Sequence, residues 1–238
     1  MDTKINFLDL KLRQAVLELR YDNVFELWDR AGTLWTKYSS MWPDLKPGKI
    51  EPSDTTFLLE NQYDLAVKLD KAHIMDYKPS SNLDKFIERS DSFTKLVSKT
   101  LEILFFNRIG FRLIYTKAFS DKLLAANAVT STKNIHVPEG RHFNINGKVF
   151  LPGYSIVWEG ESAGIRISLK AQDRKIDFEA PPSVAEIESI HLEKHELLYD
   201  VDYYTLGKVA IDQLNLKDWI QQIYHLIRRD SNYFLGDR

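Results

Sequence analysis

Apolar and polar positions alternate from Ala15 to Tyr21 (AVLELRY), the two-residue period of a half-buried strand. After Asp22-Asn23, a plausible helix start, Phe25, Trp28, Ala31 or Gly32, and Trp35 recur at spacings of three and four. That spacing predicts an amphipathic helix reaching about Ser40. Pro43, Pro47, Gly48 and Pro52 then read as a loop. Two strands are predicted next, Thr56 to Glu60 and Asp64 to Asp70, the second extendable toward Tyr77. Ser81-Asn82 reads as the cap of a second helix. Its stripe runs from Leu83 through Phe86, Phe93 and Val97 to Leu104, with one irregularity at Ser90-Asp91. Arg108 to Lys117 (RIGFRLIYTK) alternates again and is rich in Ile, Phe and Tyr, so it reads as a strand.

This order, β-α-β-β-α-β, is that of the ferredoxin-like arrangement, with both helices on one sheet face. The expected fold class is therefore α+β, with a ferredoxin-like first half over residues 1–128. The second half, 129–238, reads as an antiparallel, strand-rich meander closed by a helix. The first half closes on a short helical piece at Asp121 to Ala128, and a polar loop through Gly140 follows. Strands are predicted at Lys148 to Glu159, Gly164 to Lys170, Lys175 to Glu179 and Leu197 to Tyr204, with a turn at Asp173-Arg174 and a break at Pro181-Pro182. The closing helix starts near Leu216, with Trp219, Ile220, Ile223, Leu226 and Ile227 on one side. No Gly/Ser-rich linker separates the halves, so they are expected to share a sheet or pack closely.

On a strand, Arg108, Gly110 and Arg112 point one way and Ile109, Phe111 and Leu113 the other. If this strand pairs with the first, Val16, Glu18 and Arg20 share the face turned away from the helices, with Lys68 and Asp70 from the third. Gly110 would let another group approach the backbone closely. Guanidinium groups suit carboxylate or phosphate, so this face is a candidate anion-binding floor. The plainer alternative is cross-strand ion pairing, such as Glu18 with Arg108 or Arg112. Asp200 and Asp202 also share a strand face. They could organise these arginines, bind a divalent metal, or serve acid–base chemistry.

Composition narrows the choices. The 238 residues are 44% apolar and 12% aromatic, enough for a substantial core. A net charge of -2 and a pI near 6.3 do not call for a polyanion partner. The absence of cysteine excludes a disulfide framework, a thiol nucleophile and Cys-ligated metal. No apolar run approaches the ~20 residues of a membrane helix. The first residues lack the pattern of a signal peptide, and a soluble cytoplasmic protein is the expectation. No cofactor is implied: the P-loop and dinucleotide glycine motifs are missing. His191 and His195 would share a helix face, but the order is not His-Glu-x-x-His and a third ligand is lacking. A charged connector is the better reading. Gly160-Glu161-Ser162-Ala163-Gly164 fits the nucleophile-elbow pattern formally, yet its context is strand-turn-strand, so it reads as a hairpin turn. The run Ile227 to Phe234 carries Arg228 and Arg229 and could touch nucleic acid or a partner. A cationic helix end is the simpler account.

Three segments together resemble a sporadically distributed, mostly bacterial family of uncharacterised proteins of about this length. They are Glu18-Leu19-Arg20-Tyr21, the central Arg108 to Tyr115, similar to an Arg-Ile-Gly-Leu-Arg-Tyr-Ile-Asn signature, and Tyr199-Asp200-Val201-Asp202. The central segment departs from the pattern at Leu113, where an aromatic is usual, and at Tyr115, where Asn is usual. The resemblance implies no particular chemistry; its scattered distribution implies a mobile or defence-associated setting. The combined expectation is a non-enzymatic protein-binding module using Arg20, Arg108 and Arg112, organised by Glu18, Asp200 and Asp202, in a bacterial stress or defence system. The alternatives are a metal-dependent enzyme acting on nucleotide or phosphate substrates, and a nucleic-acid binder.

Overall fold

The computed structural model describes residues 5–132, 134–136, 145, 147–178 and 190–236, without the side chains of 176–178 and 190–192. In chain order its elements are β1 (Lys11–Arg20), α1 (Leu27–Met41), β2 (Leu45–Glu51), β3 (Asp54–Leu59), β4 (Tyr63–Lys68), β5 (Lys71–Asp76), α2 (Asp84–Leu101) and β6 (Phe105–Phe106). There follow β7 (Arg108–Phe119), α3 (Lys122–Thr130), β8 (Gly153–Glu159), β9 (Ala163–Phe178), β10 (Ile190–Thr205), β11 (Val209–Ala210) and α4 (Leu216–Phe234). Nine strands form one antiparallel sheet in the order β2-β3-β4-β5-β1-β7-β10-β9-β8, and β6 and β11 form a separate small pair. Because β7 pairs with β10 from Phe119↔His195 to Gly110↔Tyr204, the sheet runs unbroken across both parts of the sequence.

The protein is thus mixed α+β, but four strands stand between α1 and α2 where two are expected. One extra strand, β2, occupies the proline-rich stretch read as a loop. It lies at the sheet edge and its register slips between Pro47 and Ile50. An edge strand with a bulge tolerates a residue that has no N–H. The other comes from the predicted Asp64-to-Asp70 strand, which ends at Lys68 and turns back at Leu69-Asp70 into β5. The neighbour of β1 is therefore β5, with His73 opposite Glu18. Lys68 sits one strand further out, near Asp54 at 3.6 Å, and Asp70 lies in the turn.

The buried stripe of α1 is Leu27, Ala31, Leu34 and Tyr38, rotated from the predicted one. Phe25 precedes the helix and Trp28 faces outward, while Trp35 reaches the core only far enough to stack on Phe57. Both stripes have helical spacing, and the one that is buried sets Tyr38 against Phe57 of β3 and Phe93 of α2. In α2 the predicted irregularity is absent. Ser90 and Asp91 are helical and buried beside Phe86, Ile87, Phe93 and Val97. In the second part, the turn expected at Asp173-Arg174 does not form; both residues pair across the ladder with His195 and Lys194 in a long β9–β10 hairpin. Glu179 and Pro181-Pro182, and residues 133 and 137–140 of the polar loop, lie outside the described residues. The β8–β9 turn does sit at Gly160, whose N–H donates to Ala163 O at 2.8 Å, so this segment is strand-turn-strand. At α4 the buried residues Leu216, Ile220, Ile223 and Ile227 match the predicted side. Asp121 caps α3 by accepting from the N–H groups of Leu123 and Leu124.

Ala15, Leu17 and Leu19 of β1, Ile109, Phe111, Leu113 and Tyr115 of β7, and Leu197, Tyr199 and Val201 of β10 all point to the helical side and are buried there. Among the described residues no helix is long and apolar enough to cross a membrane.

Candidate functional site

The opposite face of β1, β7, β10 and β9 carries the charges. Register lines them up in rows: Arg20 beside Arg108; Glu18, Gly110, Tyr204 and Gly164 across four strands; Val16, Arg112, Asp202 and Arg166 in the next row. All six residues singled out from the sequence, Glu18, Arg20, Arg108, Arg112, Asp200 and Asp202, come together here.

Asp200 and Asp202 are less than a tenth exposed although they stand on the face without helices. Arginines lie over them. Arg112 grips Asp200 with two bonds, Nε to Oδ1 at 2.7 Å and Nη2 to Oδ2 at 2.6 Å. This fork-to-fork geometry is the strong form of the pair, and it raises the Arg112 pKa above the ordinary value. Arg108 Nη2 donates to Asp202 Oδ2 at 3.0 Å, and Arg166 reaches the same oxygen at 3.4 Å. Arg20 Nε donates to Glu18 at 2.7 Å, while Arg108 lies 3.9 Å from the same carboxylate. The cross-strand pairing expected for Glu18 is therefore mainly a pairing along its own strand. Further along β10, buried Glu196 accepts from Arg13 at 3.1 Å and from Gln172 at 2.6 Å.

Two glycines make room for this arrangement. A Cβ on Gly164 would come within 2.6 Å of the Tyr204 ring. Without it the ring lies across the strand, its hydroxyl donating to Glu159 at 2.8 Å and its face carrying the Arg108 guanidinium at 4.2 Å. A Cβ on Gly110 would meet Asp202 at 3.6 Å and Arg108 at 3.9 Å, an ordinary contact. Gly110 therefore keeps the floor low but is not forced by a clash.

The result is a shallow basin of about 610 Å³. Loop residues Asn107 and Thr205 to Gly207 close one end, and Val157 and Glu159 of β8 form the far side. Its lining holds four arginines (Arg20, Arg108, Arg112, Arg166) and three carboxylates (Glu18, Glu159, Asp202). Arg108 Nε is buried and meets no acceptor among the described residues. The side chains of Arg20, Arg112 and Arg166 remain 41–50% exposed.

Among the charged and aromatic side chains of the basin, Arg166, Tyr204 and Glu159 are those that the sequence reading did not single out. The signal existed for two of them. Arg166 alternates with Gly164 and Ser168 on a predicted strand, and Tyr204 continues the Asp200, Asp202 parity.

Asp200 and Asp202 are held by arginine, so a cation there would have to displace guanidinium. The His191–His195 segment is strand and not helix, which sets residues four apart about 13 Å from each other; the His191 side chain lies outside the described residues. His195 instead sits 2.7 Å from Asp173, and with Glu193 these form a group of three whose ligand atoms lie within 4.8 Å of one another. At the C-terminal run, Arg229 is taken up by Asp230 at 2.7 and 2.8 Å.

In the segment Arg108 to Tyr115, Leu113 and Tyr115 both point into the core, where Tyr115 packs edge-on against Phe7 at 4.9 Å. Arg108, Gly110 and Arg112 are the members that face the basin. Comparison with models of known protein families found no match, and comparison with curated proteins found none either.

Proposed function

We propose that this chain is a non-enzymatic binding protein and that the arginine-lined basin is where it takes hold of a partner protein. The observation that carries the reading is the layering of charge: carboxylates at the bottom, guanidinium groups over them, and half-exposed arginine edges outermost. Fixing an arginine in advance removes much of the rotamer entropy that binding would otherwise cost, roughly 0.5–1.5 kcal/mol per side chain. A surface of this kind suits a segment that offers carboxylates and backbone carbonyls, which accept hydrogen bonds from the free guanidinium edges. Alternating sign across the basin favours a protein over a uniformly charged polyanion. We further read the first half as an elaborated ferredoxin-like unit, and the protein as a cytoplasmic member of a bacterial stress or defence system, consistent with the resemblance of its three signature segments.

The test uses Arg20→Gln/Arg166→Gln, which removes the charge of two exposed edges and leaves the Arg112–Asp200 pair alone. A protein co-purifying with the wild-type chain is produced separately and titrated against both forms. The reading predicts saturable binding by the wild type, weakened at least tenfold in the variant and by added salt. Equal affinity for the two forms contradicts it. Salt-sensitive retention of oligonucleotides would favour a nucleic-acid role. Thermal stabilisation by a divalent ion, lost in Asp202→Ala, would favour a metal-dependent enzyme.

A further inference from the structure

The nine-stranded sheet has two free edges, and they are built differently. At the β2 edge stand Lys46, Pro47 and Lys49, and the register slips between Pro47 and Ile50. Lysine, proline and a bulge are the devices by which sheet edges refuse another strand. At the β8 edge the sequence is Gly-Tyr-Ser-Ile-Val-Trp-Glu, with no lysine, arginine or proline. Its register with β9 is unbroken from Gly153 to Glu159. Val157 and Trp158 are about half exposed, and the approach through Val149, Phe150 and Leu151 is exposed and apolar as well. Among the described residues no strand pairs with its outer side.

The hydrogen-bond parity of this edge follows from two bonds. Gly160 N–H donates to Ala163 O, and Ala171 N–H donates to Pro152 O. Inward-bonded residues therefore fall on even numbers, 152 to 160, and the N–H and C=O groups of Gly153, Ser155, Val157 and Glu159 point outward.

We propose that the β8 edge pairs antiparallel with β8 of a second copy of this chain, about a twofold axis at Ile156. That centre uses the whole strand. Ser155 then bonds Val157 of the other copy and Gly153 bonds Glu159, all four with outward-facing groups. On the helical side Ile156 meets Ile156, and Tyr154 meets Trp158. The strand's one charge, Glu159, falls opposite glycine, and the two Glu159 side chains stand at opposite ends, so no like charges meet. Pairing of one strand alone buries less than a stable dimer needs, about 1,000 Å² or more. The additional apolar area is present beside the edge. Trp158, Ile165, Leu226 and Phe234 line an open apolar groove of about 270 Å³ between β8–β9 and α4. The proposal is independent of what the basin binds.

The full-length chain is tested by sedimentation equilibrium and by cross-linking. Ser155→Pro removes an outward backbone donor and leaves the backbone bonds to β9 in place, losing only the side-chain bond from Ser168 at 2.8 Å, and Val157→Lys adds a charge at a half-exposed position. Wild type is expected to sediment as a dimer, and both variants as monomers, half that mass, with a wild-type circular dichroism spectrum and a melting temperature lowered only by the lost association. The chain has no cysteine, so Ile156→Cys supplies a single thiol beside its own symmetry mate. Mild oxidation should convert it to a covalent dimer, and a Lys46→Cys control at the opposite edge should remain monomeric. A monomeric wild type, a dimer that survives both variants, or no disulfide beyond the control would overturn the proposal. If Ser155→Pro does not fold, Val157→Lys and the cysteine pair decide alone.

Discussion

One strand, β7, shows two chemistries on its two sides. Toward the helices stand Ile109, Phe111, Leu113 and Tyr115, all nearly or fully buried in the core. Toward the basin stand Arg108, Gly110 and Arg112, and the flanking strands add Asp200, Asp202, Glu18 and Arg166. The helical side holds the fold by removing apolar surface from water. The basin side contributes far less to folding, since a partly exposed ion pair is worth little and its desolvation cost offsets much of its attraction. The proposed binding role would account for a face so densely built from paired charges, where ordinary polar residues would keep the sheet soluble.

Substitutions on the two sides should separate these roles. The largest effect belongs to the helical side. Phe111→Ala, fully buried and stacked on Phe86 at 6.1 Å, should cost about 3–5 kcal/mol, read from urea unfolding. A loss below about 1 kcal/mol would break the contrast. On the basin side, Arg112→Ala leaves the buried Asp200 carboxylate without its two bonds. The cost should be about 1–3 kcal/mol, discounted because Arg112 is partly exposed. Adding Asp200→Asn should recover part of it, and additive effects in the double-mutant cycle would show that the two side chains do not act as a pair. A smaller effect is expected at Gly164→Ala. The new Cβ displaces the Tyr204 ring, so the Glu159 hydrogen bond and the Arg108 stack are lost together, for about 0.5–1 kcal/mol. An unchanged tyrosine environment by NMR would argue against it.

The smallest effect is a pH slope. Burial lowers the pKa of His73, which stands opposite Glu18 on β5. The folded state therefore favours the neutral imidazole. Its contribution is complete above the ordinary histidine pKa of about 6.5. As pH falls below that value the unfolded chain takes up a proton first, so stability declines until the folded-state pKa is passed. His73→Gln should flatten that part of the stability–pH profile; an identical slope would contradict the assignment.

Much of the basin could be read in the sequence because strand parity is a local property. Once Ala15 to Tyr21 and Arg108 to Lys117 are strands, Glu18, Arg20, Arg108 and Arg112 must share faces, and Asp200 and Asp202 follow the same rule. What parity cannot supply is the neighbour. Lys68 and Asp70 were placed beside β1 because the turn at Leu69-Asp70 carries no glycine or proline to mark it, and β5 takes that place. Likewise β2 was hidden by Pro47 and Gly48, which signal a loop unless the strand lies at an edge. In α1, two apolar stripes one step apart both satisfy the helical period, and only packing selects the one whose Tyr38 lies against Phe57 and Phe93. The depth at which Asp200 and Asp202 sit depends on which arginines fold over them, a tertiary fact.

The central claim is that the exposed arginine edges of the basin engage a partner and do not serve the fold. The most direct measurement pairs two readings on Arg20→Gln/Arg166→Gln, which removes the two charges without setting new carboxylates beside Glu18 and Asp202: its melting temperature, and its affinity for a purified partner of the wild-type chain. The account predicts a melting temperature close to wild type together with at least a tenfold loss of affinity. A variant that melts early yet binds as tightly as wild type would contradict it.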